Sequence, residues 1–114
     1  MVRIMAIMAR QQPYTLAFAS VVTKHLQAID AKYHTLIREK IGEQLRFMPS
    51  AETTNRKPLR QPALFAATWE IRFGPDNRFR VWYDIDQEAH IVQIMAIGEK
   101  QRERLFIGGE EVQL

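Results

Sequence analysis

Hydrophobic and polar residues alternate near the start of the chain and then change to a helical spacing. Within residues 13–18 this alternation sets Tyr14, Leu16 and Phe18 on one side of an extended backbone. Such a period of two predicts a first strand. The spacing changes directly afterwards, and residues 20–30 show the three- to four-residue period of a short helix.

Two helices are predicted to follow each other with almost no linker. Ser20 is the expected N-cap of the first helix, and Asp30 is the expected N-cap of a longer amphipathic helix over residues 31–47. Pro49 should end the second helix. We expect its apolar stripe to cover a sheet, and this stripe consists of Tyr33, Ile37, Ile41, Leu45 and Met48.

Three strands are predicted after a proline-rich segment. Residues 49–63 contain three prolines and many small polar residues, which indicates a long loop that is either functional or merely a connection. The strands are predicted at residues 64–73, 78–86 and 90–97, and the short links between them favour antiparallel neighbours. The tail, residues 98–114, is expected to add an edge strand.

The aromatic faces of the first two of these strands determine how they pair. Facing residues of neighbouring strands point to the same side of a sheet, so Phe73 should pair with Phe79, and each core residue then meets another core residue. On the opposite face this register sets two pairs side by side: Arg72 with Arg80, and Glu70 with Trp82.

The predicted fold class is α+β, with a strand, a helical hairpin and then a three- or four-stranded antiparallel sheet. Residues 13–114 are expected to form a single domain, which their length and apolar content support. Residues 1–12 are expected to form a flexible N-terminal tail. They lack the long apolar core and cleavage site of a signal peptide.

The composition excludes several kinds of chemistry but does not identify the one that the chain performs. The chain has 114 residues, no cysteine and a net charge of +3, and the missing cysteines indicate a reducing, cytoplasmic setting. No zinc-ligand spacing and no glycine-rich phosphate loop occur, so neither a metal nor a cofactor is expected, and no membrane partner is predicted. Three separated histidines are interpreted as surface or structural residues, namely His25, His34 and His90.

The predicted pair of Arg72 and Arg80 has two interpretations. Like charges directly opposite each other destabilise a sheet, so something must offset their repulsion. One interpretation is a surface salt network in which Glu70 or Asp84 bridges the arginines. The other is a site for an anion such as phosphate, with Trp82 on the same face to stack on a nucleic-acid base.

Two further groups of basic residues are candidates for binding RNA, although solvated charge runs are the commoner explanation of such groups. The first group lies in the long loop, at Arg56, Lys57 and Arg60. The second follows the last predicted strand, at Lys100, Arg102 and Arg104.

Three segments resemble the RelE/ParE superfamily, the toxins of bacterial type II toxin–antitoxin pairs. They are NRKPLRQP at 55–62, WEIRFGPDNRFRVWYDID at 69–86 and IMAIGEKQRERL at 94–105. The resemblance implies a helical pair on an antiparallel sheet and an antitoxin that masks the toxin. For RelE-like members it also implies cleavage of mRNA on the ribosome, in which the 2′-hydroxyl attacks the adjacent phosphate.

The resemblance assigns catalytic roles to Arg72, Arg80, Lys100 and Glu70, and Arg102 is an alternative to Lys100. Glu70 stands where the RelE branch can have lysine, and it is a candidate general base. Leu105 and Phe106 stand where the branch can have a tyrosine or histidine. The general acid is therefore unassigned, and Arg102 or Arg104 would have to help.

These residues predict a toxin that is a metal-independent, ribosome-dependent mRNA endonuclease, with a cognate antitoxin, the ribosome and mRNA as partners. One alternative is a non-enzymatic inhibitor of DNA gyrase of the ParE kind, which fits the incomplete catalytic set. Another is a non-toxic relative that binds an antitoxin only, because Glu70 would neutralise the arginines.

Overall fold

A computed structural model describes residues 12–60 and 64–113, so the predicted tail of residues 1–12 lies outside the described part except for Gln12. The described residues form two α-helices and seven strands. In chain order these are β1 (Thr15–Phe18), α1 (Val22–Gln27), α2 (His34–Leu45), β2 (Arg56–Pro58), β3 (Trp69–Phe73), β4 (Phe79–Asp86), β5 (Ile91–Gln101), β6 (Arg104–Ile107) and β7 (Glu110–Val112).

The strands form one sheet in the order β2-β3-β4-β5-β6-β7, with antiparallel neighbours throughout. Strand β1 pairs with β5 in parallel, beside the first half of β5, while β6 pairs with its second half. The α+β class with a helical pair and an antiparallel sheet is therefore confirmed. The prediction of three or four sheet strands was too low, because β2, β6 and β7 are short.

The two helices meet at Asp30 as predicted. Its side chain accepts a hydrogen bond from the Lys32 N–H at 3.0 Å and caps a 3-10 turn, Ala31–Tyr33, that leads into α2. Ser20 does not cap α1, which begins after Val21 without a side-chain cap. Helix α2 ends at Leu45, two residues before the predicted end, and Met48 is exposed rather than part of the apolar stripe.

The long loop is fixed more firmly than its composition indicates. Residues 56–58 form the edge strand β2, which the sequence analysis did not predict. Strand β3 begins at Trp69, five residues after the predicted start, because Phe65 and Ala66 adopt positive φ angles of 62° and 61° in a 3-10 turn. Side chains with a Cβ rarely adopt such angles, and a strand cannot contain them.

Both faces of the sheet carry apolar clusters. The larger one lies under α1 and α2, where Ile37, Ile41 and Leu45 pack against Phe79 and Tyr83. The smaller cluster lies on the opposite face and consists of Ala67, Trp82, Ala96, Leu105 and Ile107. Strand β5 contributes to both clusters, as expected for a central strand.

Candidate functional site

Strands β3 and β4 pair in the predicted register. Phe73 faces Phe79, and on the opposite face Arg72 faces Arg80 and Glu70 faces Trp82. The register follows from Trp69, Phe73, Phe79 and Tyr83, which face the helices, so the arginines at alternate positions share the other side. This confirms the predicted register of the arginine pair.

Glu70 lies between the cations on this face. Its Oε2 atom is 3.4 Å from Arg72 Nη2 and 4.0 Å from Lys57 Nζ, and its Oε1 atom is 4.0 Å from Arg80 Nη1. The Glu70 side chain is only 6% exposed. We call these four residues the cation cluster. Two positive charges remain uncompensated in it, since three cations surround one carboxylate.

The two arginines differ in how far they reach solvent. The Arg72 side chain is 34% exposed and the Arg80 side chain is 13% exposed. Burial lowers the pKa of Arg80, with a further lowering by Arg72, while Glu70 opposes both effects. The buried Nε atoms of both arginines find no hydrogen-bond partner among the described residues. The cluster therefore holds donors and positive charge that the protein itself does not fully satisfy.

Asp84, the other carboxylate considered as a bridge, is engaged elsewhere. It accepts a hydrogen bond from the Thr68 hydroxyl. Within the described residues, Glu70 is therefore the carboxylate that bridges Arg72 and Arg80. The salt network predicted as one interpretation is present, and its two uncompensated charges leave the phosphate interpretation open.

Trp82 does not present its ring for base stacking. It shares the face of Arg80 as predicted, but it is 2% exposed and packs in the smaller apolar cluster against Ala96 and Leu105. The prediction of an exposed ring was wrong because strand β6 and the segment around Ala67 cover this part of the face.

Lys57 comes from the edge strand β2, where it pairs with Glu70 and remains 51% exposed. Its neighbour Arg56 points to the other face and is 7% exposed. The Arg56 guanidinium donates hydrogen bonds of 2.7–3.0 Å to four oxygens near the end of α2: the carbonyls of Gln44, Met48 and Ala51 and Gln44 Oε1. Arg56, predicted to contact RNA, is thus committed to holding the loop on the helix.

The remaining basic candidates lie outside the cation cluster. Lys100 lines a cleft of about 320 Å³ together with Arg80 and Arg104. Arg104 also pairs with Glu111, with 3.6 Å between its Nε and Oε1. Arg102 occupies the β5–β6 turn with a positive φ of 59°, in a separate cleft that also includes Lys100. Arg60 is exposed at the end of a described segment.

The three histidines and Leu105 have structural surroundings. His25 is buried, its Nδ1 accepts the Ile97 N–H at 3.2 Å, and burial lowers its pKa. The ring Nε2 atoms of His34 and His90 lie 2.8 Å from backbone carbonyls. Leu105 occupies a position where the RelE branch can have a tyrosine or histidine, and it is buried in the smaller apolar cluster.

Residues 12–60 and 64–113 contain no group of three or more histidine or carboxylate side chains arranged to hold a metal ion. No helix in the same ranges is long and apolar enough to cross a membrane.

The sequence analysis did not identify three polar residues that lie beside Arg72. One is at the end of α2, and two are in the turn before β2. Gln44, Thr53 and Asn55 line a cleft there together with Arg72. No motif in the sequence signals them, because they come together only through the pairing of β2 with β3.

Comparison with known proteins gives one informative result. No family model matches the sequence, and neither does any curated protein. Among solved structures, a chain of the RelBE2 toxin–antitoxin complex from Mycobacterium tuberculosis matches with a TM-score of 0.62 and 25% sequence identity. The match covers 80% of this chain and 95% of the other. It confirms the recognition made from the sequence: the chain has the RelE-like fold and is related to the toxins of type II toxin–antitoxin systems.

Proposed function

We propose that the chain is the toxin of a type II pair and cleaves mRNA on the ribosome, in the cytoplasm, with the cation cluster as its phosphate-binding site. The observation that supports this most directly is the arrangement of Lys57, Arg72 and Arg80 around one buried carboxylate. RNA cleavage by the 2′-hydroxyl needs no protein nucleophile. It does need positive charge beside the phosphate, where negative charge develops in the transition state.

Arg72 and Arg80 have different roles in this proposal. Arg72, the more exposed of the two, first binds the scissile phosphate. Arg80 lies deeper and meets the developing charge at short range, where the low local dielectric strengthens the interaction. Lys100 reaches the same phosphate from the cleft that it shares with Arg80. Lys57, Arg102 and Arg104 bind flanking phosphates of the RNA.

Glu70 could act as a general base or hold the arginines in place, and its surroundings distinguish between these two roles. A general base must reach the 2′-hydroxyl within hydrogen-bond distance, but the Glu70 side chain is almost fully buried and its two oxygens face cations. We therefore assign Glu70 to holding Arg72 and Arg80 next to each other, with the general base left to another group. The general-base assignment remains the alternative.

An antitoxin is the expected protein partner. The structurally similar chain comes from a toxin–antitoxin complex, and the cation cluster would attract an acidic segment as readily as RNA. Such a segment would mask the site by occupying the position of the phosphate.

The deciding experiment is pulse labelling of protein and DNA synthesis after the chain is induced without an antitoxin. We expect protein synthesis to stop first, and we expect the Arg72→Ala/Arg80→Ala variant to restore it. With purified ribosomes, this variant should cleave mRNA at least about 10²-fold more slowly, since the loss of one stabilising donor already has an effect of that size.

The matched control is Arg38→Ala/Arg46→Ala, which removes two exposed arginines from α2 and the residue after it. This control should remain fully toxic. A fully toxic Arg72→Ala/Arg80→Ala variant that is folded by circular dichroism would overturn the proposal.

One observation favours a second candidate, inhibition of DNA gyrase without catalysis. The position expected to hold an acid has Leu105, which is buried among apolar side chains. In that case DNA synthesis would stop first while translation continued. Absence of toxicity without an antitoxin would indicate instead a relative that only binds one.

A further inference from the structure

A polar cleft opens directly beside the cation cluster. It lies between α2, the turn before β2 and the β3–β4 hairpin, and its volume is about 470 Å³. Cavities of roughly 300–1,000 Å³ bind small ligands. The polar residues that line it are Lys40, Gln44, Thr53, Thr54, Asn55, Arg72 and Asn77. Arg72 therefore borders both the cation cluster and the cleft.

The buried Arg56 sets the orientation of Gln44. Arg56 can only donate hydrogen bonds, so the atom of the Gln44 amide at 2.8 Å from its Nη2 must be the oxygen Oε1. The Nε2 group of Gln44 then points away from Arg56 and is left to donate. A surface glutamine would otherwise rotate freely, so Arg56 turns this one into a fixed donor on the wall of the cleft.

The turn at residues 53–55 is also fixed. Thr53 Oγ1 accepts the Asn55 N–H at 3.3 Å, which leaves the hydroxyl hydrogen of Thr53 for another acceptor. The Arg72 N–H donates to the Asn55 carbonyl at 2.9 Å, so the backbone of Asn55 is anchored next to Arg72. The cleft is thus bordered by a turn whose backbone is held in place and whose side chains carry donors.

The charge of the cleft is positive. Lys40 and Arg72 line it, and no aspartate or glutamate is among its described lining residues. Carboxylates outside the cleft pair with both cations: Glu43 lies 3.5 Å from Lys40 Nζ, and Glu70 lies 3.4 Å from Arg72 Nη2. Amide and hydroxyl donors beside two cations suit a ligand with a phosphate and a ring whose edge carries hydrogen-bond acceptors.

We propose that this cleft binds the nucleotide next to the scissile phosphate, with its base between α2 and the 53–55 turn. The proposal rests on the proposed function, since it assumes that Arg72 holds an RNA phosphate. It adds a subsite for one base, formed by Gln44, Thr53 and Asn55, and completed by Asn77 on the hairpin.

The test compares inorganic phosphate with guanosine 5′-monophosphate by NMR titration of the full chain. Guanine is chosen because its N7 and O6 atoms are adjacent acceptors. We expect the nucleotide to bind at least tenfold more tightly than phosphate and to shift the amide signals of residues 53–55 and 77. Phosphate should shift only the signals around Arg72 and Arg80.

The informative variant is Asn55→Ala/Asn77→Gly. Asn77 has a φ of 54°, an angle that glycine adopts without strain, so this change should preserve the hairpin. It should reduce nucleotide affinity to that of phosphate and leave phosphate affinity unchanged. The matched control, Gln27→Ala/Gln93→Ala, removes two exposed amides elsewhere and should change neither affinity.

The outcomes separate the subsite from the proposed function. Equal affinities for nucleotide and phosphate, or a tenfold gain that survives in Asn55→Ala/Asn77→Gly, would overturn the subsite, even where phosphate binds the arginines as proposed. Nucleotide binding in the cleft without any phosphate response at Arg72 and Arg80 would overturn the cation cluster as the phosphate site, and with it the assignment of the bound base to the nucleotide next to the scissile phosphate.

Discussion

The two faces of the sheet differ in the side chains that they present and in what covers them. On the helix side, β3 and β4 present apolar side chains to α1 and α2 at every alternate position. On the opposite side, the same two strands present Glu70, Arg72 and Arg80, and Trp82 lies directly opposite Glu70. A small apolar cluster covers Trp82, whereas the side chains of Arg72 and Arg80 remain 34% and 13% exposed.

The difference comes from the elements that cover each face. Two helices that follow one another in sequence cover the first face, whereas the short strand β6 and the segment leading to β3 cover part of the second. Burial on the second face therefore depends on distant short segments. This explains why Trp82 is buried in an apolar cluster although Arg80, two residues before it on the same strand, belongs to the cation cluster.

The helix-side face should show the larger loss of stability when a side chain is shortened. Phe79→Ala removes a fully buried ring that lies 5.1 Å from the Tyr33 ring, centroid to centroid. We expect the free energy of unfolding to fall by roughly 3–5 kcal/mol, a large part of the stability of a domain of this size. Urea unfolding followed by circular dichroism measures this.

The matched control for Phe79 is Phe18→Ala, which shortens a half-exposed phenylalanine at the end of β1. Its effect should be within about 0.5–1 kcal/mol, since exposed positions contribute little. If both variants lost the same stability, the helix-side face would not be the main core.

The opposite face should be sensitive to added volume instead. A Cβ atom at Gly98 would lie 2.9 Å from Trp82 Cζ3 and 3.1 Å from Ile107 Cγ1. Gly98→Ala should therefore lower the free energy of unfolding by about 1–3 kcal/mol, because the Trp82 ring or β6 would have to shift. Thermal unfolding would detect this as a lower Tm.

Gly42→Ala is the control for this substitution. Gly42 lies within α2, and a Cβ atom there would meet only Arg46 Nε at 3.5 Å. Alanine is favoured over glycine in a helix, so stability should rise by roughly 0.5–1 kcal/mol. A Gly98→Ala variant that gained stability in the same way would show that the opposite face is loosely packed.

The helix-side face could be predicted from the sequence because its apolar residues recur periodically within single elements. The α+β class, the helical hairpin at Asp30 and the Phe73–Phe79 register all follow from spacing within one or two neighbouring elements. The arginine pair follows from the same register. Its counter-ion Glu70 follows as well, because it lies two residues from Arg72 on the same face.

The environment of the site could not be predicted in this way. Strand β2 is three residues long, and it pairs with β3 from a segment rich in proline and small polar residues. Two consequences were therefore missed: Arg56 is buried, and Asn55 lies beside Arg72. The exposure expected for Trp82 was wrong for the same reason, since β6 was too short to place.

The cation cluster itself should lose less stability than the helix-side core, and Glu70→Gln tests this. Glutamine keeps an oxygen that can accept from Arg72, so the arginines should remain in place. Its amide N–H would face a cation, so the free energy of unfolding should fall by about 1–3 kcal/mol. The carboxylate charge disappears, however, and the cluster then holds three uncompensated cations. Phosphate affinity should rise several-fold at low salt and less at high salt.

Cleavage by Glu70→Gln separates the two roles of Glu70. A residue that only holds the arginines leaves mRNA cleavage within a few-fold of the original rate, because the amide still accepts from Arg72. A general base would be lost, and cleavage would fall by about 10²–10⁴-fold. Glu39→Gln, an exposed change on α2, controls for the loss of one charge. Weaker phosphate binding by Glu70→Gln would show that the carboxylate charge itself, and not only its oxygen, keeps Arg72 and Arg80 on the face where the strand register sets them.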